Sequence, residues 1–340
     1  MKHWRQWTTA TAAAVTLVAA AQAAGTVGNS FPAGFPVIED ATLVGKPVIG
    51  FGAAGPVTRT PVVFLHGNND TPFATACNPS YGRIQALAQY LADNGYATSE
   101  LWGLGYQGDR CDVNADQTVR SRIGHTNAAN VPDLRRFVRA VLAYTGAKEV
   151  DIVAHSLGVT LTREWIRQDR AQRQVRRFVA IDGPNQGIIN CSPNAANYWQ
   201  LPALGSFTPQ SEVCQELGSP NTPFLRLLNG KHGDGAGRDR DEHSRTGKDS
   251  VRTLVIRNAD KSFVYFPLQD GVLTPVPAED SFGKPVDFSG SAAIEGAEQL
   301  DLVGQGAYDP ILATAHLGIL NSPQTRQAAL EFLTAPPRRR

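Results

Sequence analysis

The segment VDIVAHSLGVTL, residues 150–161, constrains the fold of this chain more than any other. A run of buried-type residues ends at a serine, Ser156, and the following residues have the apolar spacing of a helix. Small residues, Ala154 and Gly158, stand two positions before and after the serine, which lets a helix pack close to the strand. The pattern predicts a sharp strand-to-helix turn that exposes Ser156 as a nucleophile and directs the Leu157 N–H toward an oxyanion. The alternative is an ordinary serine that caps a helix.

Strand-like and helix-like segments alternate on both sides of this turn. Strand candidates with short apolar runs are VVFL, SELWGLGY, EVDIVA, RRFVAID, SVRTLVIRN and EQLDLVGQG, and amphipathic helix candidates lie between them and after them. Among the helices, we expect one with Pro132 near its first turn and a final one that begins at Ser322-Pro323. This alternation predicts an α/β fold with a mostly parallel sheet and helices on both faces.

One gap in the alternation is too long for a plain connection. Residues 188–250 begin with an aromatic and proline-rich part, which predicts a lid or cap, and continue with a polar, glycine-rich part that predicts an exposed loop. We therefore expect a single domain over residues 25–335 with a lid insertion at about 188–250. A short basic tail follows at 336–340.

The first residues have the order of a secretory signal peptide. Lys2 and Arg5 precede an Ala/Val/Leu run that ends in small residues, which predicts a signal peptide over residues 1–24 and a secreted, extracellular or periplasmic protein. A membrane anchor is the alternative, but the apolar run is too short to span a bilayer comfortably. The formal net charge of +1 gives no overall field that would attract nucleic acid.

Export permits disulfides, and the chain has four cysteines. Four cysteines allow three pairings, and nearness in the sequence favours Cys77 with Cys111 and Cys191 with Cys214. None of them has the spacing of a metal site, so we expect them to be structural and no metal to be bound.

The segment FLHGNN, at the end of the first core strand, is the candidate for the second oxyanion donor. A glycine turn follows the strand there, and the backbone N–H of Asn68, directly after His66-Gly67, is the expected donor. The alternative is a glycine turn with a structural histidine.

The nucleophile needs a base, and four histidines come into question. His155 is adjacent to Ser156 and cannot swing over it, so it is expected to be a packed or hydrogen-bonded residue of the turn. His232 and His243 lie in the polar part of the insertion, where precise positioning is difficult. His316 lies between the last strand and the last helix, and it is the expected base.

The carboxylate that orients the base is harder to assign. Asp260 follows a strand by two residues and is the favoured acid. Asp270 is the second candidate, although Asp-Gly is equally the usual turn of a hairpin between SFVYF and VLTPV. Asp182, at the end of another strand, is expected only to support the turn at Ser156.

These segments resemble secreted bacterial lipases of the α/β-hydrolase superfamily, above all the small Bacillus type whose turn also reads A-H-S-x-G. VDIVAHSLG, FVAIDGPNQG and AHLGIL carry the resemblance, which extends in blocks from about residue 61 to 333. It implies an α/β-hydrolase fold with Ser156 as nucleophile, His316 as base, Asn68 and Leu157 as oxyanion donors, and Asp260 as acid.

The resemblance also implies an activity, a lipase or esterase that forms an acyl-enzyme and needs no cofactor. In its insertions the chain is more similar to an extracellular polyhydroxybutyrate depolymerase, so an aliphatic polyester is the alternative to a lipid or a soluble ester. A peptidase with the same triad, or a binding module that has lost catalysis, are further alternatives.

Overall fold

The computed structural model describes most of the chain. The described residues are 25–43, 45–115, 122–194, 196, 198, 200–230, 251–258, 279–302 and 314–336, together with the backbone of 263–267 and 273–277. The predicted signal peptide, the polar part of the insertion, and the loops that contain Asp260 and Asp270 lie outside these residues.

Seven strands form one sheet at the centre of the molecule, in the order β1-β3-β2-β4-β5-β6-β9. All neighbours are parallel except β1, which pairs antiparallel with β3. These strands are β1 (Ile49–Phe51), β2 (Val62–Leu65), β3 (Leu101–Gly105), β4 (Val150–His155), β5 (Val175–Ile181), β6 (Arg252–Asn258) and β9 (Glu298–Leu302). A separate hairpin consists of β7 (Phe263–Pro267) and β8 (Leu273–Pro277).

Helices cover both faces of this sheet. They are α1 (Arg83–Asp93), α2 (Cys111–Ala115), α3 (Asn127–Thr145), α4 (Leu157–Asp169), α5 (Glu212–Leu217), α6 (Pro223–Leu228), α7 (Thr314–Gly318) and α8 (Pro323–Thr334). Phe137 of α3 and Trp165 of α4 belong to the core on one face, whereas Leu87 of α1 and Phe332 of α8 belong to the core on the other. The predicted α/β-hydrolase fold is confirmed.

Some details differ from the expectations or add to them. The edge strand β1 has no clear signal in the glycine-rich sequence around it and was not expected. Helix α3 begins at Asn127, so Pro132 lies inside the helix rather than near its first residue, because the Thr126 side chain accepts a hydrogen bond from the Ala129 N–H and starts the helix earlier. Strands β7 and β8 pair antiparallel, as expected for a hairpin between SFVYF and VLTPV.

The described part of the chain contains two disulfides, one of which lies in the insertion. Both expected pairs, Cys77–Cys111 and Cys191–Cys214, are present, with Cα–Cα distances of 5.2 and 5.5 Å. The second disulfide closes the first half of the insertion, which contains a 3-10 turn at Pro202–Leu204 and helix α5.

Among the residues that the structure describes, no helix has the length and apolar character needed to cross a membrane.

A buried carboxyl connects the end of β2 to the start of α1. The Asp70 Oδ1 atom accepts hydrogen bonds from the N–H groups of Thr71 and Gly82, both at 2.7 Å. Its Oδ2 atom has no hydrogen-bond partner among the described residues. Burial raises the pKa of Asp70 to about 6, and the two N–H donors offset only part of this effect.

We expect Asp70→Asn to change how stability depends on pH. Because the pKa of Asp70 in the folded protein, about 6, is above its unfolded value of 3.8, its contribution is complete at low pH and is lost as the pH rises through about 6. The asparagine oxygen can still accept both N–H bonds, but it does not ionise. Urea unfolding with intact disulfides should show wild type losing about 3 kcal/mol relative to the variant between about pH 4 and pH 7.

The exposed Asp93 at the end of α1 gives a control for this measurement. Asp93→Asn removes an exposed carboxyl from the same helix and is measured in the same series. Equal slopes for wild type and Asp70→Asn would contradict the raised pKa.

Candidate active site

Ser156 lies at the turn between β4 and α4. Its backbone has φ 54° and ψ −123°, a strained conformation that only a few residues of a protein adopt. Its N–H donates to the carbonyl of Ile181 at 3.0 Å, which fixes the turn to the end of the neighbouring strand β5. The turn therefore has the conformation that the sequence pattern predicts for a nucleophile.

Glycine allows α4 to begin close to the neighbouring strand β2. A Cβ atom at Gly158 would lie 2.7 Å from the carbonyl oxygen of His66, closer than a real side chain allows. In the loop after β2, a Cβ atom at Gly67 would lie 2.9 Å from the Ser156 Cβ atom. The backbone of the loop after β2 thus lies directly against the serine, and both expected oxyanion donors, Asn68 and Leu157, are near it.

The residues 66–70 after β2, which we call the oxyanion loop, rest on an aromatic stack. The His66 ring lies parallel to the Tyr106 ring with 4.2 Å between centroids, and the Tyr106 hydroxyl donates to the His66 carbonyl. The His66 Nδ1 atom is 2.8 Å from the Gly67 carbonyl oxygen. Burial lowers the pKa of His66 to about 4, so this histidine is neutral at neutral pH and has a structural place beneath the loop.

His316 in α7 meets a carboxylate. Its Nδ1 atom lies 2.6 Å from the Oδ2 atom of Asp182, which directly follows β5. The Asp182 side chain is fully buried, whereas 16% of the His316 side chain is exposed. A histidine whose Nδ1–H is held by a buried carboxylate keeps its Nε2 atom available as a base.

The backbone of Asp182 is itself held in place. Its φ is 46°, its N–H donates to the Ile256 carbonyl at 2.7 Å, and its Oδ1 atom accepts the Asn258 N–H at 3.3 Å. Both contacts come from strand β6, so the adjacent parallel strand determines where the carboxylate points.

His155 connects the nucleophile turn to the base. Its Nε2 atom is 3.0 Å from the carbonyl oxygen of His316, and the two rings lie 4.6 Å apart. Because this ring contacts the backbone of His316, it has the hydrogen-bonded role expected for it and is not placed as the base. The contact brings His316 next to the turn at Ser156.

The structure thus assembles four of the five expected site residues and adds a carboxylate. Ser156, Leu157 and Asn68 lie at the carboxyl ends of β4 and β2, and His316 reaches the same edge of the sheet. The expected acid, Asp260, and its rival Asp270 are outside the described residues, so their assignments stay predictions.

The carboxylate at His316 is the functional feature that sequence reasoning missed. The pattern predicted only a supporting role for Asp182, but the structure brings its carboxylate into contact with His316. A signal was present, since an acid followed by a glycine at the end of the strand after the nucleophile strand lies at the correct edge of a parallel sheet.

The site contains the groups needed for acyl transfer. It combines a hydroxyl on a strained turn, an imidazole held by a carboxylate, and the backbone of the loop after β2 packed against the serine. No cluster of three or more His, Cys, Asp or Glu residues suited to a metal ion occurs in the described parts of the chain.

The chain is similar in fold to several solved structures, at low sequence identity. The mature lipase BlEst2 of Bacillus licheniformis is 15% identical with a TM-score of 0.48, covering 82% of this chain and 95% of that one. Lipase B of Aspergillus fumigatus is 17% identical with a TM-score of 0.43, covering 81% of this chain and 52% of that one. A 2-hydroxy-6-oxo-6-phenylhexa-2,4-dienoate hydrolase of a Rhodococcus species is 14% identical with a TM-score of 0.44, covering 85% of this chain and 95% of that one.

The family comparison is more direct. Residues 59–236, more than half of the 340 residues, match the model of the family described as lipase (class 2). The matched segment includes the oxyanion loop, the turn at Ser156 and Asp182. The chain therefore belongs to the class 2 lipases and is a carboxylic ester hydrolase with the α/β-hydrolase fold.

Proposed function

We propose that this protein is a secreted serine esterase or lipase whose catalytic triad is Ser156, His316 and Asp182. The contact between His316 Nδ1 and Asp182 Oδ2, 2.6 Å long, is the observation that carries the proposal. It gives His316, whose backbone carbonyl contacts His155 beside the nucleophile turn, the carboxylate that a base in a triad requires.

The first chemical step is attack of the Ser156 Oγ atom on the ester carbonyl carbon. His316 Nε2 takes the serine proton as the new C–O bond forms, and Asp182 holds the imidazole in the tautomer with its proton on Nδ1. The resulting imidazolium then gives the proton to the leaving alcohol as the ester bond breaks. The acyl group remains on Ser156.

The negative charge on the carbonyl oxygen is stabilised by two backbone groups. The N–H of Leu157, at the start of α4, and the N–H of Asn68, in the oxyanion loop, are the proposed donors. Water then attacks the acyl-enzyme with His316 as base, and the carboxylic acid is released. The reaction balances without a cofactor.

Asp182 replaces Asp260 in this proposal for a structural reason. Its carboxylate is buried, is directed by contacts from β6 and already meets the histidine, so it needs no rearrangement to orient the ring.

Secretion is supported by two observations. The chain begins with a predicted signal peptide, and its cysteines pair into two disulfides, Cys77–Cys111 and Cys191–Cys214, which persist in oxidising compartments.

Exposed apolar side chains favour a water-insoluble ester as substrate, either a lipid or the alternative, an aliphatic polyester. Tyr198, Leu201 and Ile123 are 62%, 49% and 44% exposed. Leu201 lies two residues before Ala203, and Ile123 lies two residues before His125. Ala203 and His125 contact each other beside the oxyanion loop. Apolar groups at the rim of a site can adsorb to an insoluble substrate.

Reaction with a fluorophosphonate probe tests the nucleophile. Wild type should be labelled covalently and Ser156→Ala should not, because only the Oγ atom of an activated serine attacks phosphorus. Intact-mass measurement of both proteins checks this. A folded wild type that stays unlabelled would instead support a binding module without catalysis.

The identity of the acid is tested by three matched variants. Asp182→Asn should lower kcat for a p-nitrophenyl ester by about 10⁴-fold, because the amide no longer holds the required tautomer. Asp260→Asn and Asp270→Asn should stay within about threefold of wild type, the range of substitutions that miss the triad. A large loss for Asp260→Asn with little loss for Asp182→Asn would make Asp260 the acid.

Substrate class is tested by comparing p-nitrophenyl esters, emulsified triacylglycerol and solid polyester film. Leu201→Ser should weaken turnover of the insoluble substrates and leave the soluble ester unchanged, because only the former need adsorption. Activity on short soluble esters alone would contradict both insoluble substrates.

A further inference from the structure

A fully buried histidine outside the proposed triad, His125, lies between the oxyanion loop and the insertion. Only 1% of the residue is exposed. Its Nδ1 atom is 2.7 Å from the Asn68 side-chain oxygen, and its Nε2 atom is 3.2 Å from the Ala203 carbonyl oxygen. It therefore contacts the residue that is proposed to supply one oxyanion N–H.

The orientation of the Asn68 amide follows from its other neighbours. Its Nδ2 atom donates to the Gly205 carbonyl at 3.2 Å, and its Oδ1 atom accepts from Gln107 Nε2 at 3.3 Å. Gln107 Nε2 also donates to the Gly124 carbonyl at 2.8 Å, which makes this atom the amide nitrogen. A reversed Asn68 amide would set oxygen against oxygen at Gly205 and nitrogen against nitrogen at Gln107. The Oδ1 atom therefore faces His125.

The proton on His125 is assigned by the same reasoning. Burial and the nearby Arg110 lower the pKa of His125 to about 3, so the ring is neutral and has one N–H. Both ring nitrogens face oxygen acceptors, but the Asn68 oxygen is closer, at 2.7 Å against 3.2 Å. Gln107 Nε2 also lies 3.4 Å from Nδ1, but its two hydrogens are used by the shorter contacts to Gly124 and Asn68. The proton belongs on Nδ1, and the ring donates to Asn68.

The insertion meets the same junction from the other side. The Gly205 carbonyl accepts from the side-chain amides of both Asn68 and Asn69, at 3.2 and 3.0 Å. Gly205 has φ +74°, and a Cβ atom there would lie 2.5 Å from the His125 Nδ1 atom. Only glycine fits at position 205, because the insertion packs so closely against the oxyanion loop and His125.

We propose that His125 is a positioning residue for the oxyanion hole: its Nδ1–H holds the Asn68 side chain against the insertion and so fixes the direction of the Asn68 backbone N–H. This role rests on the proposed function of Asn68. The Asn68 side chain is held on two sides, and these contacts restrict rotation of the Asn68 backbone. Loss of the His125 bond therefore lets the Asn68 N–H turn away from the developing oxyanion. The bond acts in the transition state and not in ground-state binding of the ester.

Two substitutions at His125 separate this role from simple packing. His125→Asn places an amide nitrogen near the position of Nδ1 and can still donate to Asn68, whereas His125→Leu is of similar size and cannot. Since loss of a whole oxyanion donor costs about 10²- to 10³-fold, we expect His125→Leu to lower kcat by about 10- to 100-fold with KM within about twofold. His125→Asn should retain kcat within about threefold of wild type.

Ser211→Ala is the matched control within the insertion. Ser211 is buried and its hydroxyl donates to the Thr208 carbonyl at 2.8 Å, so its loss removes an insertion hydrogen bond without touching the oxyanion loop. It should leave kcat unchanged. Gly205→Ala disturbs the junction from the opposite side and should lower kcat as His125→Leu does, so it replaces that variant if His125→Leu does not fold.

Circular dichroism and thermal unfolding are recorded for each variant. Equal loss of kcat in His125→Asn and His125→Leu would overturn the proposal. It would also be overturned if His125→Leu or Gly205→Ala folds and has the same kcat as wild type. Fluorophosphonate labelling of wild type is measured in the same series. If wild type is not labelled, the proposed function fails; if it is labelled and the His125 pair behaves alike, only the positioning role fails.

Discussion

The close approach of α4 to the end of β2 is the constraint on which the rest of the site depends. It exists because Gly158 has no side chain to collide with the His66 carbonyl. The same approach brings the first N–H of α4 and the oxyanion loop to one side of Ser156. The strained φ of 54° at Ser156 is maintained by its bond to Ile181 and by the buried strand before it. The positions of the proposed nucleophile and of its proposed oxyanion donors therefore depend on one packing contact.

Environment distinguishes the four histidines near this edge of the sheet. His66 and His125 are buried, and burial lowers the pKa of each, to about 4 and about 3. Both imidazole rings are neutral, and both pack and hydrogen-bond around the oxyanion loop. His155 is buried against the backbone of the fourth histidine. Among the histidines that the structure describes, His316 alone combines partial exposure with a carboxylate neighbour, which are the two conditions that a general base needs.

The insertion is part of the site and not only a cover above it. Its Gly205 carbonyl receives both asparagine amides of the oxyanion loop, and Cys191–Cys214 closes the chain around it. The backbone around Gly205 therefore packs as a wall of the proposed catalytic centre. The exposed Leu201 lies four residues before that wall, so surface contact with a substrate and the geometry of the oxyanion hole are adjacent in the molecule.

The local parts of the site follow from the sequence. A buried run, a serine between small residues and an amphipathic continuation can form only a strand, a tight turn and a helix, because side-chain size and periodicity act between near neighbours. The position of His316 between the last strand and the last helix follows from chain order in the same way. Asp182, His125 and Gly205 did not follow, because their roles depend on contacts between segments far apart in the chain. In the sequence an acid follows both β5, as Asp182, and β6, as Asp260. The packing of β6 against β5 directs the Asp182 carboxylate to the histidine.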